Sequence, residues 1–446
     1  MVIKLLKGIG AVLAFMLLMA VSTITFIDWT PYTETSYYKE TMAAIDTATW
    51  STSDSGYLLA GWSKENSTPD EPKPLIPYKP RGNYEFVLDS NFVRTLVIGN
   101  GSDFVAFVNF EILFVHPYLA AAVKKRVQET NPNLKNLYFT TTHAHSGFGG
   151  YSPGLIGKLT MGGMDQEVVD LLADRTAKSL DKAWSTLDTV SIEYRKNNAA
   201  PFVTNRLIAG DPIDPFLRRL RMEKQSGEVA ELTTFSAHST LLSAKFMGLS
   251  GDYPFYFTVF REEEIDFSLF ASGTVGSHRP VGFGADPSGI ERYAFALDSL
   301  VRADTSGLNI STELTRFATA RIPVKLRSSH FRISEKFRLR PWLFDLIYGD
   351  SPAHVDVVLL GNNLFLSSSG ELSGVFYEDW DHAAQDLGLN LFVTCFNGGY
   401  IGYITPDEYY EKKLYETWDM NFFGPYNGAY HSEIFQKLIQ KAGNIR

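Results

Sequence analysis

The chain has 446 residues, 45% hydrophobic and 14% aromatic, enough for one large or two medium domains with a sizeable core. Its formal charge of −9, with no basic patch or arm, argues against nucleic acid as a partner. The single cysteine, Cys395, excludes an intrachain disulfide and a thiolate zinc site, and it closes an apolar run that reads as a buried strand.

At the N-terminus Lys4 and Lys7 precede an uncharged run over 9–27, close to the ~20 apolar residues that cross a bilayer. The run has no polar face and no small-x-small cleavage site after it, so an uncleaved signal anchor fits better than a cleaved signal or a core helix. The leading lysines assign 1–8 to the cytoplasm and the rest to the exported side, periplasmic or extracellular. Residues 28–56 read as a stalk or short helix after the membrane segment, and 57–446 as one catalytic domain.

Within that domain, 63–81 is a Pro-rich surface loop. Strands are expected over 94–98 and over 104–115, the latter carrying Glu111, followed by a helix over 117–128 opened by Pro117. A strand over 137–142 leads into the His motif. A helix over 165–187 follows, with Asp165 as N-cap and Glu167 in its first turn. Further strands are expected over 190–195, 232–237, 255–260, 267–271, 355–360, 364–368 and 389–395. Helices are expected over 289–302, 376–387 and 430–441. This mixture implies an α/β or α+β enzyme-like domain.

The most informative stretch is Thr142-His143-Ala144-His145-Ser146-Gly147-Phe148-Gly149-Gly150. Side chains at i and i+2 of a strand share a face, so His143 and His145 aim together beyond the strand end. Neutral imidazole is a common metal ligand, acid or base. Such a pair on a strand can also be surface chemistry, so further ligands are needed. His238, Glu371, Tyr400 and Tyr403 each stand just beyond an apolar run. Two imidazoles and a carboxylate suit Zn²⁺ with a position left for water, and a tyrosine oxygen adds a ligand or an oxyanion donor. Each of these also has a plain reading as turn or packing residue.

Thr142-His143-Ala144-His145-Ser146-Gly147 resembles the Thr-His-Thr-His-Ser-Gly signature of the neutral/alkaline non-lysosomal ceramidases. Leu58-Leu59-Ala60-Gly61-Trp62 is similar to that family's opening Leu-Ala-Gly-Tyr, and Gly370-Glu371 to its Pro-Gly-Glu-Phe-Thr. Gly402-Tyr403-Ile404-Thr405-Pro406-Asp407-Glu408-Tyr409, Leu414-Tyr415-Glu416 and Gly424-Pro425-Tyr426 resemble its C-terminal landmarks, in the family's order. The resemblance runs from about Tyr57 to the C-terminus. It implies a large α/β domain of layered sheets flanked by helices, without the immunoglobulin-like domain of long family members. It implies zinc ligands at His143, His238, Glu371 and Tyr403. His145 and Tyr415 fall where the family contacts the substrate amide or its oxyanion, and Arg206 matches the family's active-site arginine or is a surface-loop residue.

One departure matters. The family's Gly-Asp-Val-Ser-Pro, with its proposed nucleophilic serine, is here Gly276-Ser277-His278-Arg279-Pro280, so Arg279 stands at the serine position. Either Ser277 substitutes, or zinc-activated water attacks, or catalysis is lost; His278 is a new acid or base, or a loop residue. The expected function is a membrane-anchored, zinc-dependent hydrolase of an N-acylated, ceramide-like lipid. The alternatives are a zinc hydrolase of another amide or ester, and a non-catalytic membrane-tethered binding protein in which Arg279 is buried near the metal.

Overall fold

The computed structural model describes residues 2–445 except 54–55, 79–80, 128–132, 305–312, 315 and 350–351. The last residue expected in the 117–128 helix and part of the 63–81 loop lie outside the described residues. The helices, in chain order, are α1 (Val2–Thr23), α2 (Ser36–Thr47), α3 (Pro117–Val127), α4 (Gly154–Thr160), α5 (Gln166–Ser185), α6 (Asp252–Arg261), α7 (Pro287–Arg302), α8 (Pro341–Tyr348), α9 (Tyr377–Gln385) and α10 (Asn427–Gly443).

Two sheets stack face to face. The larger has, strand by strand, Phe267–Ser272, Val229–Phe235, Phe216–Lys224, Asp188–Asn198, Leu59–Asn66, Phe92–Gly99, Phe104–Phe110 and Leu134–Thr141. The smaller has Ser51–Ser53, Phe317–Val324, Ala353–Leu360, Asn363–Ser368 and Asn390–Cys395. Alternation of side chains along each strand builds two cores at once. Val105 and Phe107 join Phe365 and Phe392 between the sheets, while Phe104, Ala106 and Val108 face the outer helices. Val358 and Leu360 likewise face inward, and Val357 and Leu359 outward. With both faces covered, these strands read in sequence as unbroken apolar runs.

Helices α3 and α5 lie on the outer side of the larger sheet, and α2, α9 and α10 on that of the smaller. The Asp165 side chain caps α5, accepting from the Glu167 N–H at 3.0 Å, and the helix buries Val168, Val169, Leu172, Ala173 and Leu180 along one stripe.

Three expectations need correction. Residues 255–260 lie inside α6 and are not a strand. Tyr253, Pro254, Phe257, Thr258 and Arg261 are buried at helical spacing, a pattern that the run of aromatic side chains obscures in sequence. The strand expected over 104–115 ends at Phe110. The described residues of the 28–56 segment are not a stalk: Met42, Ile45 and Trp50 are buried in the main core. Helix α1 is long and apolar enough to cross a membrane over Ile3–Thr23, and none of that stretch is buried by the rest of the chain.

Candidate metal centre

The ends of both sheets supply the site. Leu134–Thr141 pairs parallel with Phe104–Phe110 and its C-terminal end delivers His143; Val229–Phe235 delivers His238. In the smaller sheet Asn363–Ser368 leads to Glu371, and its parallel neighbour Asn390–Cys395 leads to Tyr403. Beyond the sheet these two chain segments pair again, with Glu371 directly opposite Tyr403.

His143 adopts φ +55°, a left-handed conformation unusual for a residue with a side chain. Its ring stacks on Phe396, centroids 4.2 Å apart and planes at 12°. Its Nδ1 lies 2.7 Å from the Leu113 carbonyl, and the Nδ1 of His238 lies 2.9 Å from the His278 carbonyl. A carbonyl only accepts, so each Nδ1 carries the proton and each Nε2 keeps its lone pair. Those two Nε2 atoms sit 3.6 Å and 3.3 Å from Oε2 of Glu371. Tyr400 donates its hydroxyl to the other carboxylate oxygen at 2.9 Å, while Oε2 is buried with no hydrogen-bond partner among the described residues. Ligands about 2.0–2.1 Å from a tetrahedral zinc lie roughly 3.3–3.4 Å from one another, so the donors present fit that ion.

Burial drives the His143 imidazole down to about 3 and holds His145 and His238 well below the ordinary value. All three are therefore neutral near pH 7, the form in which imidazole binds metal. His145 places Nε2 3.1 Å from Nε2 of His143, and its Nδ1 is 3.0 Å from the Tyr78 hydroxyl. The ligand atoms of His143, His145 and His238 all lie within 4.8 Å of one another, a buried cluster able to hold a metal ion. His143 and His238 are thus common to a three-imidazole set and to the set with Glu371.

Arg206 reaches the same place. Its Nη2 donates to the Tyr403 hydroxyl at 3.1 Å and lies 3.4 Å from Nε2 of His238, while its Nε is 2.8 Å from a Glu416 carboxylate oxygen. Burial, and then the Glu371 carboxylate, raise Tyr403 well above the usual phenol range. Tyr415 stands at the rim, more than half exposed, its ring edge-on to Tyr403 with centroids 6.0 Å apart. His143, His145, Glu371, Arg206, Tyr403 and Tyr415 line a cavity of about 660 Å³ whose other walls include Phe114, Ile156, Phe331, Tyr348 and Phe422.

Residues 87–274 match the family model for the N-terminal domain of neutral/alkaline non-lysosomal ceramidases. Among solved structures, a crystal structure of neutral ceramidase from Pseudomonas aeruginosa superposes with a TM-score of 0.72 at 17% identity, over 86% of this chain and 75% of that one. A structure described as ceramidase complexed with C2 gives the same TM-score, 0.72, the same 17% identity and the same coverage of 86% and 75%. This is the neutral ceramidase fold. No curated protein matches the sequence.

On this neutral ceramidase scaffold the 276–280 loop is built differently from the expectation. Ser277 is fully buried; its Oγ accepts from the Ser373 hydroxyl at 2.8 Å and the Gly374 N–H at 3.2 Å, and it does not line the cavity. Arg279 is exposed on the short strand His278–Pro280, opposite Thr204, so the reading of a buried guanidinium beside the metal is corrected. His278 serves the site through its backbone carbonyl. Its ring is held by the Thr274 carbonyl at 3.0 Å and the Asp214 N–H at 3.3 Å, away from the cavity. Tyr78 and Glu416 join the site without a sequence pattern that assigns them to it. Tyr78 lies in an irregular loop with no periodicity to mark it, whereas Glu416 adjoins Tyr415 in a landmark stretch and was open to notice.

Proposed function

We propose that this chain hydrolyses the amide bond of an N-acylated, ceramide-like lipid, using zinc held by His143, His238, Glu371 and Tyr403 and water as the nucleophile. The observation that carries this reading is the meeting of two lone-pair-bearing Nε2 atoms and the unpartnered Oε2 of Glu371, 3.3 and 3.6 Å apart, beside a largely apolar cavity. Zinc bound there would polarise the acyl carbonyl and bring the pKa of a water toward ~7. The Leu113 and His278 carbonyls fix the tautomers of the two imidazoles, and Tyr400 fixes the carboxylate.

Arg206, ion-paired to Glu416, sets a permanent positive charge beside Tyr403, suited to the oxyanion that develops as the acyl carbonyl becomes tetrahedral. His145, neutral and turned toward His143, is placed to hydrogen-bond the water or the departing amine, and Tyr415 at the rim to meet the amide or its oxyanion. Ser277, buried and engaged by Ser373 and Gly374, has no route to substrate, which favours attack by water. The aromatic and aliphatic walls suit an acyl chain. We further assign 1–8 to the cytoplasm, α1 from residue 9 to Thr23 to a signal anchor and the catalytic domain to the exported side.

The test is metal content of the purified full chain, with His143→Ala and His238→Ala in parallel, in the preparation used for a panel of N-acyl lipids, other amides and esters. About one zinc per chain, lost together with turnover in both variants, is the expected result. Turnover confined to other amides or esters would move the substrate class. Activity retained by His143→Ala with full zinc would overturn the site.

A further inference from the structure

Helix α1 does not leave the domain on a tether. The Arg340 N–H donates to the Thr23 carbonyl at 2.8 Å, Arg340 Nε to the Val21 carbonyl at 2.9 Å, and the Trp342 indole N–H to the Ser22 carbonyl at 3.0 Å. The next residues, Ile24–Phe26, pair antiparallel with Phe337–Leu339. The exit end of a bilayer-spanning α1 therefore lies within hydrogen-bond distance of the start of α8.

That neighbourhood is apolar on its outer side. Leu346 is 72% exposed and Trp342, four residues earlier on the same face of α8, is also exposed. Helix α4 packs on α8 and repeats the arrangement, with Leu159 56% exposed and Leu155 four residues before it. Phe26 and Phe337 extend the patch, their exposed rings 4.9 Å apart. Isolated surface leucines are ordinary, but a contiguous set of large apolar side chains marks a contact surface. Ile156 and Thr160 of α4, each next to an exposed leucine, and Tyr348 of α8 line the cavity.

We propose that the α4–α8 face is a membrane-docking surface, seated in the leaflet from which α1 emerges, so that the cavity between these helices opens onto the bilayer. The occupant is the lipid surface itself, because the three hydrogen bonds to α1 and the strand pairing that follows hold this face at the exit point of the anchor. Leucines with an interfacial tryptophan and a phenylalanine pair are the side chains such immersion takes up. A lipid substrate then enters without crossing water. The inference rests on reading α1 as a bilayer-spanning helix.

Cys395 is buried, so cysteines introduced on the surface label selectively. Leu159→Cys, Leu346→Cys, Val12→Cys in α1 and Phe295→Cys on the exposed side of α7 would each carry a nitroxide in the full chain. The carrier is a phosphatidylcholine/phosphatidylglycerol nanodisc, and relaxation by oxygen is compared with relaxation by a water-soluble nickel chelate. Docking predicts that oxygen dominates at 159 and 346, as for immersion of about 5–10 Å, while the chelate dominates at 295. Chelate access at 159 and 346 equal to that at 295 would overturn the proposal. So would exclusion of both reagents there, the signature of a second copy or another protein. The label at 12 decides the anchor reading separately: chelate access at 12 would refute the anchor, whatever 159 and 346 report.

Discussion

Glu371 is held by one oxygen and free at the other. Tyr400 donates to Oε1 at 2.9 Å, which turns Oε2 toward His143 and His238. Tyr400→Phe removes that donor and leaves the ring in place. Zinc affinity is expected to fall about 10–100-fold, the usual effect of losing an outer hydrogen bond to a ligand, and competition with a chromophoric chelator would measure it. The candidate ligands were legible as residues because each stands beyond an apolar strand, and pattern plus residue type is enough to find a strand end. What orients them was not: the Leu113 and His278 groups that accept from the two imidazoles are backbone carbonyls, which any residue could supply. Another buried group governs pH dependence. Burial, with added repulsion from Glu111 and Asp252, pushes Asp89 up to about 8, against hydrogen bonds from the Ser250 hydroxyl and the Gly251 N–H. The folded state then binds a proton that the unfolded chain releases near pH 4, so this group's contribution to stability is lost as pH rises from about 4 to about 8. Thermal midpoints across that window should decline more steeply for the native protein than for Asp89→Asn.

Glu111 shows why element-level meaning is harder to read from sequence. It follows the Phe104–Phe110 strand as His143 follows its own, yet its partner is structural. Arg94 Nε lies 2.7 Å from Glu111, and Arg94 Nη1 reaches Glu262 just beyond α6 at 2.5 Å and the Ser268 carbonyl at 2.9 Å. One buried guanidinium thus ties the middle of the larger sheet to its far edge and to the end of α6. Arg94→Met keeps much of the volume and leaves Glu111 buried without its cation. The expected loss is about 3–5 kcal/mol of unfolding free energy, read from denaturant titration. Helix α6 also shows why 255–260 resembles a strand in sequence. Aromatic side chains favour strands in isolation, but here Phe257 packs into the core between α6, α7 and Phe270 at a helical period, and tertiary burial overrides propensity.

At the scale of the whole molecule the candidate ligands come from different layers. His143 and His238 extend from the larger sheet, Glu371 and Tyr403 from segments following strands of the smaller. The layered α/β class was legible from alternating strands and helices. The pairing of Glu371 with Tyr403 was not, because it depends on Asn363–Ser368 and Asn390–Cys395 being parallel neighbours in the smaller sheet, which the sequence pattern does not specify. A cation held by donors from both sheets joins them in the folded state alone, so its binding free energy adds to unfolding stability. At free zinc one hundredfold above Kd that addition is about 2.7 kcal/mol. Chelator treatment should therefore lower the thermal midpoint of the full chain, and zinc should restore it. His238→Ala should be insensitive to both treatments, whereas Arg94→Met should sit lower throughout and still respond to zinc. A native midpoint that ignores zinc would mean that no resident metal joins the sheets.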